Sequence, residues 1–255
     1  MRLEKRWMSV FMPWMVPLLI VVIWQSLCKF GVIPTRILPA PTDVLKAGIR
    51  LAATGELYQN ISISLWRALA GFVIGGSIGF LLGLFNGMFK ISDLLFDTSI
   101  QMLRNIPHLA LVPLVILWFG IDETSKVFLV ALGVLFPIYI NTYHGIKSVD
   151  KGLIEMGKAY GLKGVPLFLK VFLPGALSSI LVGIRYALGI MWTTLIVAET
   201  ISSSSGIGYM AMNARDFMQM DVIVLSILIY SLFGKLSDII AKLCERNWLK
   251  WNESR

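Results

Sequence analysis

Residues 155–174 read EMGKAYGLKGVPLFLKVFLP and lie between two long apolar runs. The first half has the pattern of a short helix. Asp150 is placed to cap it, and Leu153, Ile154, Met156, Ala159 and Tyr160 give it a mixed apolar surface. Gly161 stands where a helix end commonly turns left-handed. Gly164 and Pro166 then stop the same helix from running on. The expected product is a short helix, a turn and a second apolar segment returning to the bilayer. An exposed helix with apolar residues between two spans needs a partner surface.

The flanking runs set the fold class. Hydrophobic residues make up 56% of the chain and charged residues only 15%, against about 25% charged in a soluble domain. Several apolar runs approach the ~20 residues that cross a bilayer as a helix, and they are continuous where barrel strands would alternate. The expectation is an all-α membrane protein with six transmembrane helices in one domain, residues 1–255. The spans fall at about 13–30, 65–89, 99–119, 126–146, 175–198 and 222–243, with a projecting loop at 147–174.

Net charge is +8. In a soluble chain that would favour nucleic-acid binding. Here the bases gather in loops on one side, so membrane orientation explains them and no nucleic-acid partner is expected. Arg2, Lys5 and Arg6 open the chain. Lys147, Lys151, Lys158, Lys163 and Lys170 make the most basic loop, and Lys242, Arg246, Lys250 and Arg255 close the tail. That pattern places both termini in the cytoplasm. Trp7, Trp14 and Trp24 stand where interfacial anchors belong. The first run lacks a clean cleavage site and reads as a retained span. Cys28 and Cys244 fall on opposite faces, so no disulfide is expected. There is no Cys/His cluster and no P-loop, so this chain is expected to hold no cofactor or metal. Energy must come from another polypeptide or from an ion gradient.

Residues 31–62 read as an extracytoplasmic connection holding a short amphipathic helix, capped by Thr42 or Asp43 and ended before Gly55. In the second span Gly71, Gly75, Gly79, Gly83 and Gly87 form one stripe. Such a stripe lets backbones approach closely, within the bundle or across a dimer, with flexible gating as the alternative. Pro107 and Pro113 predict a kinked or broken third span. Residues 199–221 read as an outer loop that starts at Glu199 and carries a short Met-rich helix, Tyr209 to Phe217.

Polar groups in the spans are the pathway candidates. Arg185 falls near the middle of the fifth span, where a charge costs about 2.5–3.5 kcal/mol. It needs a wet cavity, an acidic partner or freed carbonyls, and serves either to draw in an anion or as a structural pair. Gln101, Arg104, Asn105 and His108 flank Pro107, where a broken helix can turn free N–H groups toward an anion. Trp192 and Thr193, with Thr194, fit either a pore lining or packing between helices. No catalytic grouping stands out, so the chain is not expected to be an enzyme. An ion-gradient carrier would need an intramembrane acidic cluster, and none is obvious.

The opening stretch resembles the cytoplasmic signature of bacterial ABC importer permeases: Glu, two small residues, three variable positions, Gly, nine variable positions, Ile, one variable position, Leu-Pro. Here these are Glu155, Met156 and Gly157, then Gly161, Val171, Leu173 and Pro174. Met156 and Gly157 depart from the usual Ala-Ala, and Val171 replaces Ile. TRILPAPTDV, DTSIQMLRNIPHLALVPLVILWFGIDE, LFPIYINTYHGI and LIVAETISSSSGIGYMAMNARDFMQMDV resemble the aliphatic-sulfonate branch. Related branches handle taurine, nitrate or bicarbonate-type anions. The resemblance implies a type I importer fold and a coupling helix bearing Glu155, Met156, Gly157, Ala159, Gly161 and Pro174. It also implies a second copy of the permease, two ATPase subunits that bind ATP and Mg, and an extracytoplasmic binding protein. The location implied is the bacterial inner membrane.

Overall fold

The computed structural model describes residues 2–249, and its described residues form helices and connections with no strand. The side chains of Arg2, Lys5, Arg6, Trp7 and Trp14, and all of Lys250 and Arg255, lie outside what is described. Helix α1 (Arg2–Lys29) leads to α2 (Pro41–Ala53). Pro41 starts α2 because its missing N–H is not needed there. The residue before it, Ala40, is the cap position and no side chain caps the helix. Thr42 and Asp43 therefore lie inside the first turn, two and three positions past the cap role expected of them.

Helix α3 (Glu56–Met88) begins well before the expected Leu65. Gly55, at φ +80°, turns the chain, and helix resumes at once. The residues between are polar but form one buried face with Asn60, Ser64 and Arg67, so hydropathy alone places the boundary too late. The glycine stripe seats α3 against α6 (Glu123–Lys147), deciding for a contact within the chain. A Cβ at Gly83 would lie 2.6 Å from the Tyr139 carbonyl oxygen, and one at Gly87 would lie 2.8 Å from Ile146 Cβ. Gly75 and Gly79 press against the carbonyls of Ala131 and Leu135. On its other side α6 meets α9 (Leu173–Ser202), where a Cβ at Gly183 would lie 2.6 Å from Asn141 Cβ. Helix α6 is thus the middle of a three-helix layer, with Val130, Val134, Ile138, Ala187 and Met191 buried in its core.

The third span is broken. Helix α4 (Lys90–Arg104) stops before Pro107, a 3-10 turn covers His108–Leu111, and α5 (Val112–Phe119) leaves at 78°. Beyond α6 come α7 (Lys151–Ala159), α8 (Gly164–Leu167) and a π-helical turn, Phe168–Phe172, that runs straight into α9. Pro174 would clash with the carbonyl four residues back, and the wider π turn around Lys170 gives the ring room. Helix α9 runs to Ser202, so Glu199 is a buried helical residue and not the start of a loop. Only then come α10 (Ile207–Asp216) and α11 (Met220–Trp248).

Among the described residues, four helices are long and apolar enough to cross a membrane: Glu56–Met88, Glu123–Lys147, Gly164–Ile201 and Met220–Trp248. The bent α4–α5 pair raises the number to five, and the described apolar part of α1, Met15–Lys29, is shorter. The chain is a multi-pass helical membrane protein, with four to five such spans against the six expected.

Candidate functional site

Helix α7 hangs at one end of the bundle, held at both of its own ends. Asp150 Oδ1 accepts from the backbone N–H of Gly152 at 2.6 Å and of Leu153 at 3.2 Å. At the other end Gly161 adopts φ +83°; its N–H donates to the Lys158 carbonyl at 2.9 Å and that of Leu162 to the Gly157 carbonyl at 3.0 Å. That is a Schellman closure, and it needs a residue free to take positive φ. Gly157 is buried because a Cβ there would lie 2.9 Å from Leu167 Cδ1 and 3.0 Å from Val171 Cγ2. The small residue is therefore required on the inner face. Met156 points outward, so its bulk disturbs nothing. Leu153, Met156 and Tyr160, at helical spacing, form an exposed apolar stripe, with Tyr160 81% exposed. Glu155 and Ala159 are also exposed, and Pro174 is half-buried behind the π turn.

The pathway candidates divide. Gln101 lies on α4, its Nε2 3.4 Å from Asp97 Oδ1. Arg104 and Asn105 end α4 and are exposed beside the break. His108 Nε2 lies 3.1 Å from Thr194 Oγ1, tying the broken span to α9. Trp192 is packed between helices: its Nε1 donates to Ser237 Oγ at 2.9 Å and its ring stacks on Phe233 at 5.0 Å. Thr193 is exposed and bonds back to the Ile190 carbonyl. Arg185 is half-exposed on α9, with its Nε 2.7 Å from Asp238 Oδ1 on α11.

Three polar groups escaped the sequence reading. The first lies at the end of the bundle opposite α7. Arg67 is fully buried, its guanidinium shared between Glu123, Glu199 at 2.8 Å, and the Ser203 and Ser205 turn. Glu199, equally buried, also accepts from Ser64 Oγ, the Gly208 N–H and Tyr230 Oη, each at 2.8 Å. The second lies at the α7 end, between α4 and α6. Asp93 accepts from Tyr143 Oη at 2.7 Å and Lys147 Nζ at 2.6 Å, and Asp97 from Tyr139 Oη at 3.0 Å. The third is Asp238. Arg67 falls at the edge of an apolar run, where a charge draws little notice. Glu123 and Glu199 sit near helix ends that read as turn or loop, and Asp238 lies inside the last helix among basic residues.

Residues 75–250 match the family model described as binding-protein-dependent transport system inner membrane component. The chain is 61% identical over 248 residues to the putative aliphatic sulfonates transport permease protein SsuC of Escherichia coli (strain K12), covering 97% of this chain and 94% of that one. The protein of the same description from Bacillus subtilis (strain 168) is 45% identical over 94% of this chain and 87% of its own. The taurine transport system permease protein TauC of Escherichia coli (strain K12) is 30% identical over 90% of this chain and 86% of its own. Among solved structures, an amino acid ABC transporter with histidines superposes at TM-score 0.64 and 18% identity, covering 78% of this chain and 96% of that chain. The MetNI methionine ABC transporter in an inward-facing conformation superposes at TM-score 0.55 and 18% identity, covering 74% and 94%. At that identity the two structures show a shared fold and nothing finer.

Proposed function

The chain belongs to the inner membrane components of binding-protein-dependent transport systems, and on that premise we propose that it is the permease subunit of an ATP-driven importer of aliphatic sulfonates. The observation that carries the proposal is α7: a capped helix displayed outside the bundle, with Leu153, Met156 and Tyr160 exposed and nothing among the described residues to cover them. Such a stripe suits a cleft in a partner. We assign it to a separate ATPase subunit that binds ATP and Mg, one on each of two permease copies, with α7 and both termini in the cytoplasm. A binding protein delivers substrate at the opposite end. The half-exposed charge of Arg185 in mid-span is costly against lipid, which supports a second copy enclosing a wet pathway beside α9.

The chemistry needs such a drive. A sulfonate stays ionised and does not cross hydrocarbon unaided. Bringing one negative charge inward against an inside-negative potential costs about 2.3 kcal/mol per 100 mV. In the proposed cycle ATP binding draws the two ATPases together, the α7 helices move with them, and the cavity opens outward; product release resets it. Taurine is the second candidate substrate, supported by the taurine-system relative.

The test is uptake of a labelled short alkanesulfonate by cells carrying the chain with its ATPase and binding protein, wild type beside Gly161→Pro. Proline cannot take φ +83° and so breaks the turn that ends α7. Uptake by wild type and none by an assembled mutant is the expected result. Undiminished uptake by the mutant overturns the coupling role, and no uptake by an assembled wild type overturns the substrate.

A further inference from the structure

Asp238 is a shared carboxylate. Its Oδ1 takes Arg185 Nε at 2.7 Å, and its Oδ2 faces Lys242 Nζ at 3.0 Å and Lys235 Nζ at 3.8 Å. Three cations around one anion leave the cluster with surplus positive charge. Arg185 uses one of its three nitrogens on Asp238, and among the described residues the other two have no hydrogen-bond partner. Arg185 and Asp238 line a cleft of about 430 Å³ between α9 and α11, together with Val182, Tyr186, Leu188, Gly189 and Gly234. At Gly189 and Gly234 nothing lies within 4 Å of where a side chain would start, so both walls are open. The volume is within the range of small-molecule sites.

We propose that Arg185 receives the anionic head of the substrate in this cleft and that Asp238 is its displaceable counter-ion. The inference rests on the anion-import reading above and adds a residue and a mechanism of release to it. A sulfonate head offers three acceptor oxygens, and the free side of a guanidinium offers parallel donors that match two of them. While substrate is bound, Lys242 and Lys235 hold Asp238. When it leaves, Asp238 returns to Arg185 Nε, so the arginine is never an unpaired charge within the membrane. Competition from Asp238 keeps the site weak, as a pathway site must be if its occupant is to move on.

The experiment is equilibrium binding of labelled ethanesulfonate to the permease–ATPase complex in nanodiscs, without the binding protein, with uptake by the full system measured in parallel. Asp238→Asn removes the competitor, and binding should tighten by about tenfold. Arg185→Gln should abolish both binding and uptake in a complex that still assembles. The charge exchange, Arg185→Asp with Asp238→Arg, keeps the pair and should remain unable to bind. Should Asp238→Asn fail to assemble, Lys242→Gln serves in its place: it leaves Asp238 to Arg185 and should weaken binding. Wild-type-like binding by the exchange variant overturns the proposal, as does affinity unchanged in Asp238→Asn or in Lys242→Gln. Absence of binding to wild type overturns it too, while uptake by the full system in the same preparation leaves the importer reading intact.

Discussion

The two ends of the bundle hold their helices together by opposite means. At the end away from α7, Arg67 and Glu199 are fully buried, and their hydrogen-bonding positions are taken by groups from α3, α6, α9, α10 and α11. At the α7 end, α4 meets α6 through Asp93 and Asp97 facing Tyr143, Lys147 and Tyr139, and the Lys147 side chain is 43% exposed. A buried ion pair is dear to break, because the survivor is left charged in a dry site. An exposed pair exchanges with water at little cost. Helix α4 buries a single residue, Ile100. The difference teaches which end is the more deeply anchored: the far end fixes five helices to one another around a dry ion pair, and the α7 end ties α4 to α6 through carboxylates that reach water.

The sharpest way to break that contrast is Arg67→Ala. It strands Glu199 and should cost about 3–5 kcal/mol, seen as loss of the folded species in detergent or a large fall in melting temperature. A variant that melts like wild type would dissolve the anchored end. Next, Gly75→Val drives a side chain into the Ala131 backbone and should cost about 1–3 kcal/mol by prying α3 from α6; cross-linking yield between the two helices would report it. Asp150→Ala removes the cap of α7 and should cost about 1 kcal/mol, felt locally as faster amide exchange in Lys151–Ala159 with the bundle unchanged. The smallest effect on stability belongs to Tyr143→Phe, expected at under about 1 kcal/mol. Its transport rate should nonetheless change, because it loosens α4. A fall in melting temperature as large as that of Arg67→Ala would show the two ends to be equally fixed.

Much of this was legible because it is local. The spacing of Gly71 through Gly87 announces close approach, though only the folded chain shows that the approached helix is α6. The ends of α7 could be read from Asp150 and Gly161, since capping is settled within a few residues. The break at Pro107 follows from a missing N–H. Arg67 and Glu199 are 132 positions apart, and no periodicity connects them. Hydropathy placed Arg67 at a span edge and Glu199 at a loop start, where charges draw no notice. Asp238 was hidden likewise among the basic residues of the last helix. Trp192 was open to two readings because an indole suits a pore wall and a helix seam equally, and its bond to Ser237 is invisible before folding.

The double closure of α7 has a bearing on speed. A helix of nine residues would fray in water if left to itself, yet Asp150 and the Gly161 turn hold this one in shape before anything docks on it. In the proposed docking, the ATPase would meet a finished surface and lose little affinity to ordering. Docking and release would then follow each other quickly, at the pace of an encounter and not of a folding step.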